Sequence, residues 1–316
     1  MTGPKFSRVL AFGGAHVDRR GQVSGRYVPA ASNPGTMRED VGGGAFNALR
    51  SAVRRGVSAS MLSVRGGDAA GERVAQAIEA AGISDLSAVF LDRTTPSYTA
   101  LIDGDGELVA GLADMGLYDL AFPKQMTRAK VREAIGDADA VLCDANLPAA
   151  ALERLAKLAQ GRPIFAIAIS PAKAVRLLPV LGQLSLVFMN RRESAAITGL
   201  DEDMTENALV EALRETGMKA GVVTSGNGPV LGFDESGAFT IAPPAPRHVA
   251  DVTGAGDALA GATVAAVLGG QKLRTALREG VAMAMLAIES PAAVPAFTAA
   301  SFAKALGLVP KAREMA

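Results

Sequence analysis

The run Asp251–Asp257 holds residue types that together suit phosphoryl chemistry, since a Gly-Ala-Gly turn leads directly into Asp257. Small residues follow and favour a helix, so the turn would lie at a helix N-terminus, where free backbone N–H groups and the helix dipole bind anions. The backbone N–H groups of Ala255, Gly256 and Asp257, after the turn residue Gly254, could stabilise a phosphoryl group. The carboxylate of Asp257 could take a proton from an attacking hydroxyl. The alternative is a glycine turn that Asp257 only caps.

Three further segments combine glycines, carboxylates and amides that suit a polar substrate and a nucleotide. The first and third follow an apolar run, and the second opens a helical stretch, as expected of loops at the edge of a sheet. Carboxylates and amides can pair with sugar hydroxyls, and glycines let the backbone approach a ligand closely. The segments are Gly13-Gly14 with Asp18, then Gly42-Gly43-Gly44 with Asn47, and then Asn190 with Glu193.

These motifs resemble the ribokinase-like (PfkB) carbohydrate and nucleoside kinases. That family carries an early Gly-Gly and Asp, a G-G-x-x-x-N, an N-x-x-E and a D-T/V-T-G-A-G-D run, and all four occur here in family order over nearly the whole chain. The resemblance implies a three-layer α/β/α fold with a mainly parallel central sheet and a small antiparallel β lid. It also implies one kinase domain over residues 1–316 that uses ATP with Mg²⁺.

Short apolar runs alternate with longer helical patterns, which is typical of βαβ units. Ligands of such sheets bind outside the carboxyl ends of the strands, where the two glycine-opened helices would begin. We expect strands at 9–12, 60–64, 140–144, 163–169, 186–189, 221–224 and 230–233. We expect helices at 45–55, 69–81, 126–135, 149–158, 207–216, 257–268 and 275–288.

Two segments, about 19–41 and 89–113, interrupt this alternation. The second has an Asp-Gly turn at 103–106 between two β-prone runs, which is a strong hairpin signal. An ordinary surface hairpin is the alternative. In the resembled family, strands from these two regions form a lid over the sugar site and often a dimer surface, so the resemblance implies a homodimer through the lid.

The resemblance also implies the roles of individual residues. Asn190 and Glu193, at i and i+3, would hold Mg²⁺ through water, although an N-cap with its capping-box partner has the same spacing. Asp144 and Asn146 follow an expected strand and either face the substrate or cap the next helix. The substrate-binding set is Asp18, Gly42, Gly43, Asn47, Asp144 and Asn146; the nucleotide-binding set is Asn190, Thr224, Ser225, Gly226 and Ala287; and Asp251, Thr253 and Ser290 would surround a monovalent cation, usually K⁺.

Composition excludes several classes of partner. Lys+Arg and Asp+Glu are both 32, so the chain lacks the basic excess that nucleic acid or an anionic membrane requires. One cysteine, Cys143, allows neither an intrachain disulfide nor a cysteine-based zinc site, which suits a reducing compartment. With no apolar stretch of membrane-spanning length, we expect a cytoplasmic protein.

The identity of the substrate is the finest prediction. The stretches 106–115, 144–147 and 289–294 look most like pseudouridine kinases, which implies phosphorylation of the 5′-hydroxyl of pseudouridine. Ribose, another nucleoside, 2-keto-3-deoxygluconate and a phosphorylated hexose stay open, although Arg93 is the one cation of the 89–113 segment, which favours an unphosphorylated substrate. A catalytically silent binding protein is the alternative of a different class, but such a protein needs neither Asp257 nor the Asn190 and Glu193 pair. A P-loop motif is absent.

Overall fold

A ten-stranded sheet forms the centre of the computed structural model, which describes residues 7–292 and 294–315. The structure does not describe residues 1–6, 293 and 316. All of them fall within the expected domain, and residue 293 also falls within the stretch 289–294. The strands are β1 Arg8–Phe12, β2 His16–Val23, β3 Gly35–Gly42, β4 Ser58–Leu62, β5 Val64–Gly66, β6 Ser84–Asp85, β7 Ala88–Phe90, β8 Ser97–Ile102, β9 Leu108–Asp114, β10 Ala140–Asp144, β11 Ile164–Ile167, β12 Leu186–Asn190, β13 Gly221–Thr224, β14 Val230–Asp234, β15 Gly237–Ile241 and β16 Arg313–Glu314. The helices are α1 Gly44–Arg54, α2 Ala69–Ala80, α3 Gly116–Gln125, α4 Ala129–Asp137, α5 Ala149–Leu158, α6 Pro171–Ala174 (continued by a 3₁₀ helix, Val175–Gln183), α7 Arg191–Thr198, α8 Glu206–Glu215, α9 Ala255–Leu268, α10 Leu273–Ile288 and α11 Ala299–Leu308.

The central sheet has the order β16-β15-β14-β13-β12-β11-β10-β1-β4-β6. The strands from β13 to β6 in this order pair in parallel, and β14, β15 and β16 add an antiparallel edge. The expected mainly parallel sheet is therefore confirmed. One expected strand is wrong in part: the run 60–64 divides, because β4 ends at Leu62 and β5 begins at Val64 in a separate two-stranded sheet with β7.

Helices cover both faces of this sheet. Successive side chains of a strand point to opposite faces, so Val141 and Cys143 pack in one core and Ala140 and Leu142 in the other. One core includes side chains of α3, α4, α5 and α8, and the other those of α1, α9, α10 and α11. The sheet and the helical layer on each of its faces are the three expected layers. Among the described residues, no helix is both long and apolar enough to cross a membrane.

Helices α1 and α9 pack in close contact, and this contact brings two site motifs together. A Cβ at Gly261 would lie 2.0 Å from the carbonyl oxygen of Ala48, so only glycine allows the two backbones to approach this closely. Both helices begin at the same edge of the sheet. Asn47 and Asp257, in their first turns, therefore become neighbours.

A second sheet, with the order β3-β2-β8-β9, lies beside this edge. Strands β2 and β8 pair in parallel, and β3 and β9 pair antiparallel to them on the outside. The expected small second sheet is confirmed, with different bounds: its strands occupy 16–23, 35–42, 97–102 and 108–114, and its role as a lid stays a prediction. Residues 88–90 instead form β7, which pairs with β5.

Candidate active site

A cavity of about 890 Å³ opens at the carboxyl ends of the parallel strands. Its walls come from the strand ends β11, β12 and β13, from the first turns of α1 and α9, and from the small sheet. Most residues expected to form a site meet here. Those lining the cavity are Asp18, Gly43, Asn47, Asn146, Asn190, Glu193, Thr224, Asp251, Thr253, Gly254, Gly256 and Asp257.

Asp257 does not serve as a helix cap. Helix α9 begins at Ala255 with Gly254 as its N-cap, at a left-handed φ of 78°, and no side chain caps it. Asp257 Oδ2 accepts a hydrogen bond of 3.0 Å from Asn47 Nδ2 on α1. The alternative interpretation of this motif, a turn capped by its own aspartate, is therefore wrong.

Burial raises the pKa of Asp257 to about 7. The neighbouring carboxylates of Asp144, Asp18 and Glu193 raise the pKa further, whereas the hydrogen bond from Asn47 lowers it. A base with a pKa near 7 is about half ionised at neutral pH and still binds a proton well, which is the compromise that general-base catalysis favours. The carboxylate can accept a proton from a bound hydroxyl.

The turn before Asp257 can bind an anion. The first N–H groups of a helix have no partner within the helix, and here no side chain supplies one. The N–H of Ala255 donates to the carbonyl oxygen of Val252 over 3.3 Å, so it is partly engaged, in contrast to its expected role. A Cβ at Gly256 would have no atom within 4 Å, so this part of the turn faces open space.

Asn47 is held between Asp257 and a half-buried arginine that the sequence motifs do not include. Arg50 Nη2 donates to Asn47 Oδ1 over 2.6 Å, and its guanidinium lies 4.6 Å from the centre of the Phe46 ring. Burial lowers the pKa of Arg50 to about 10. Because the arginine can only donate, it turns the amide nitrogen of Asn47 towards Asp257. The expected contact of Asn47 with substrate is thus accompanied by a structural role.

Asp18 lies on β2 and is held by His16, which the sequence alone left without a partner. His16 Nε2 is 3.3 Å from Asp18 Oδ1, and His16 Nδ1 is 3.1 Å from the hydroxyl of the buried Tyr118. A Cβ at Gly42 would lie 2.0 Å from Asp18 Oδ2, and Gly43 has a φ of 118°. These two glycines therefore let the end of β3 pass close to the carboxylate, and Gly43 but not Gly42 lines the cavity.

Asp144 is fully buried and does not line the cavity. Its Oδ2 accepts from the N–H groups of Gly14 and Ala45 and from Asn146 Nδ2, over 2.9, 2.9 and 3.0 Å. Asp144 therefore joins the loop after β1, the start of α1 and Asn146, which does face the cavity. This differs from the expectation that Asp144 contacts the substrate, because protein donors already occupy its carboxylate.

Asn190 and Glu193 form the capping box of α7. Glu193 Oε2 accepts from the backbone N–H of Asn190 over 2.8 Å, and Asn190 Oδ1 accepts from the N–H of Glu193 over 2.9 Å. Burial raises the pKa of Glu193. Among the described residues no cluster of three metal-ligating side chains exists. The pair fits a Mg²⁺ ion that a nucleotide carries and that the protein contacts through water, rather than one enclosed by protein ligands.

The remaining expected residues lie at the end of β13, in the segment before α9, in α10 and just after it. Thr224 ends β13 and faces the cavity, whereas Ser225, Gly226 and the buried Ala287 do not line it. Asp251 Oδ2 forms an ion pair of 2.6 Å with Arg20 of β2, and Asp251 Oδ1 accepts from the N–H of Thr253 over 2.8 Å. Ser290 Oγ accepts from the N–H of Ala292.

Comparison with known proteins supports the resemblance found in the motifs. A carbohydrate kinase from Agrobacterium tumefaciens superposes with a TM-score of 0.87 at 44% identity, over 98% of this chain and 100% of that one. Ribokinase from Arabidopsis thaliana, complexed with ribose and ATP, has the same fold, with a TM-score of 0.82 at 20% identity over 95% and 99% of the two chains. Pseudouridine kinase from Escherichia coli (strain K12) is 27% identical over 254 residues, which are 79% of this chain and 80% of that protein. Residues 7–299 match the pfkB family carbohydrate kinase model, so the chain belongs to this family of phosphotransferases.

Proposed function

We propose that this kinase transfers the γ-phosphoryl group of ATP to the 5′-hydroxyl of pseudouridine. The observation that carries the proposal is the half-buried carboxylate of Asp257, with its pKa near 7, beside an anion-binding helix start in a cavity that also contains Asp18. The similarity to a pseudouridine kinase supports this acceptor.

Asp257 acts as the general base. It takes the proton of the primary hydroxyl while that oxygen forms a bond to the γ-phosphorus and the bond from phosphorus to the leaving ADP oxygen breaks. The N–H groups of Gly256 and Asp257 stabilise the charge on the transferring group. Asp18, held by His16, pairs with sugar hydroxyls, and Asn146 contacts the acceptor from the other wall.

The nucleotide lies on the side of β12 and β13, against Thr224 and next to the segments that hold Ser225, Gly226 and Ala287. Mg²⁺ bound with ATP neutralises phosphate charge, and Asn190 and Glu193 would hold its waters. The loop carbonyls near Asp251, Thr253 and Ser290 would bind a monovalent cation such as K⁺. These residues, with the small sheet, make up one kinase unit.

We also propose that two copies pair through the outer face of the small sheet. The alternation of side chains places Asp18 and Tyr98 towards the cavity, so Met37, Leu101 and Leu112 belong to the opposite face. Met37 is 60% exposed and Leu112 is 70% exposed, which is unusual for large apolar side chains of a sheet. Sedimentation is expected to give twice the mass of one chain, and Leu112→Glu to give the single mass; a single mass for the wild type would contradict pairing.

Turnover with ATP and Mg²⁺, with and without K⁺, tests the acceptor. The panel is pseudouridine, uridine, adenosine, ribose, 2-keto-3-deoxygluconate and fructose phosphates, with the phosphorylated product identified by mass spectrometry. The expected result is the highest kcat/KM for pseudouridine. A higher value for another acceptor would overturn the substrate, and binding without turnover of any of them would indicate a silent binding protein.

A further inference from the structure

Lys173 places an ammonium group at the cavity wall, and the reaction proposed above does not use it. It lies on α6, just after β11, and is half-buried. Its Nζ donates one hydrogen bond, of 2.5 Å, to Asn146 Oδ1, and no described carboxylate lies within the 4.0 Å of an ion pair. An ammonium has three donor hydrogens, so two are left for a ligand.

The acidic groups nearby are already occupied. Asp144 accepts from two backbone N–H groups and from Asn146, and Asp119 forms an ion pair of 2.9 Å with Arg176. Burial lowers the pKa of Lys173, since the charge is partly removed from water. A half-buried cation whose protein partner is a neutral amide suits a ligand that supplies oxygen acceptors.

Lys173 and Asp257 lie on different elements around the cavity, Lys173 on α6 beside Asn146 and Asp257 in the first turn of α9. Arg176, three residues further on, donates to the carbonyl oxygen of Asn146 and reaches Asp119 on α3, which follows the last strand of the small sheet. Asp257 instead lies where α1 meets α9. Both side chains line the same cavity, so one acceptor molecule can contact Asp257 with its primary hydroxyl and Lys173 with its far end.

The walls at the small-sheet side indicate what that far end is. Ala100, Ile102, Ala113 and Met115 line the cavity there with apolar side chains. A flat ring covered by apolar groups, with oxygen acceptors along one edge, matches this combination of an apolar wall and a cation that, unlike Arg20, has no carboxylate partner among the described residues. A compact polyol would leave the apolar wall without contacts.

We propose that Lys173, positioned by Asn146, donates hydrogen bonds to a carbonyl oxygen of the substrate's pyrimidine base and so sets specificity for a nucleoside over a free sugar. This inference rests on the proposed function, because it assumes that the acceptor is a nucleoside. The carboxylate of a sugar acid has the same acceptor chemistry. The experiment therefore includes one.

The test compares the wild type with Lys173→Met, which keeps most of the apolar stem, Lys173→Arg, which keeps the charge, and Lys157→Met at an exposed position as the control. We would measure kcat and KM for pseudouridine, ribose and 2-keto-3-deoxygluconate at saturating MgATP. Lys173→Met is expected to lower kcat/KM for pseudouridine about 10- to 100-fold, mainly through KM, as for a lost hydrogen bond to a charged group. Ribose should change less than about threefold, and Lys173→Arg should restore part of the loss.

Other results would overturn the inference. If kcat falls equally for pseudouridine and ribose, Lys173 acts at the phosphoryl group. If activity falls equally for both and the melting temperature also falls, the role of Lys173 is structural. A loss confined to 2-keto-3-deoxygluconate would make its ligand a carboxylate. If the wild type does not phosphorylate pseudouridine, the proposed function fails, but the role of Lys173 can still be tested by binding. The inference then requires that the wild type binds pseudouridine more tightly than ribose and that Lys173→Met loses this preference.

Discussion

Replacing Asp257 with asparagine is expected to lower kcat by roughly 10²- to 10⁴-fold, the usual contribution of a general base, while ATP and acceptor still bind. Asparagine keeps the shape of the side chain and an oxygen that can accept from Asn47, so the cavity should be preserved. Steady-state kinetics with calorimetric binding of each ligand would measure the two effects separately. Asp203→Asn, at an exposed position, is the matched control. A kcat within about tenfold of the wild type would show that Asp257 is not the base.

The same substitution is expected to stabilise the protein at high pH. The pKa of Asp257 is about 7 in the folded chain and about 3.9 for an ordinary aspartate, so the folded state binds more protons between these values. The free energy of unfolding of the wild type therefore falls as pH rises from about 4 to 7 and stays low above 7, by an amount on the order of a few kcal/mol. Asp257→Asn has no carboxyl group at this position, so its free energy of unfolding should not show this fall. Its melting temperature should exceed that of the wild type most at pH 8 and least near pH 4.

Gly256→Leu is expected to abolish turnover without unfolding the protein. A Cβ at this position meets no atom within 4 Å, and Gly256 lines the cavity, so a larger side chain fills the space in front of the anion-binding turn. Leucine also favours a helix more than glycine does, by about 1 kcal/mol, so the helix start should not lose stability. Calorimetry with ATP, kinetics and thermal unfolding would be measured together.

Gly261→Ala, five residues along the same helix, is the contrasting variant. Its new methyl group would lie 2.0 Å from the carbonyl oxygen of Ala48, so α1 and α9 would have to separate. This variant should lose stability, with activity falling as a consequence. Activity of Gly256→Leu above about a tenth of the wild type would contradict the assignment of the turn as the phosphoryl site.

The sequence predicts the bounds of strands and helices well where a local signal marks the end of the element. Strands β10 and β13 and helix α5 have the expected bounds, because consecutive apolar residues in a parallel sheet and a Pro before a helix are local signals. Strands β2 and β3 of the small sheet carry mostly charged and polar residues, and they are strands because they pair with each other and with β8. Local sequence does not contain that pairing.

The site was predictable to the extent that it lies in motifs. Asp257, Asn47 and Asp18 come from three distant segments, and the rule for the ends of parallel strands brings them to one cavity. Arg50 was missed although its i and i+3 spacing from Asn47 is readable, because arginines on helices are usually solvated. Lys173 belongs to none of the motifs. Its proposed role follows from which neighbouring side chains already have partners, and only the tertiary structure shows this.

Phosphoryl transfer by this kinase is expected to require that the half-buried carboxylate of Asp257 first loses its proton. The direct measurement is kcat/KM for the acceptor at saturating MgATP from pH 5.5 to 9. We predict a rise of about tenfold per pH unit to a plateau, with an apparent pKa of about 7 or higher because bound nucleotide adds negative charge, and no such limb for the residual activity of Asp257→Asn. A wild-type profile that stays flat down to pH 5.5, or an unchanged limb in the variant, would contradict the central claim.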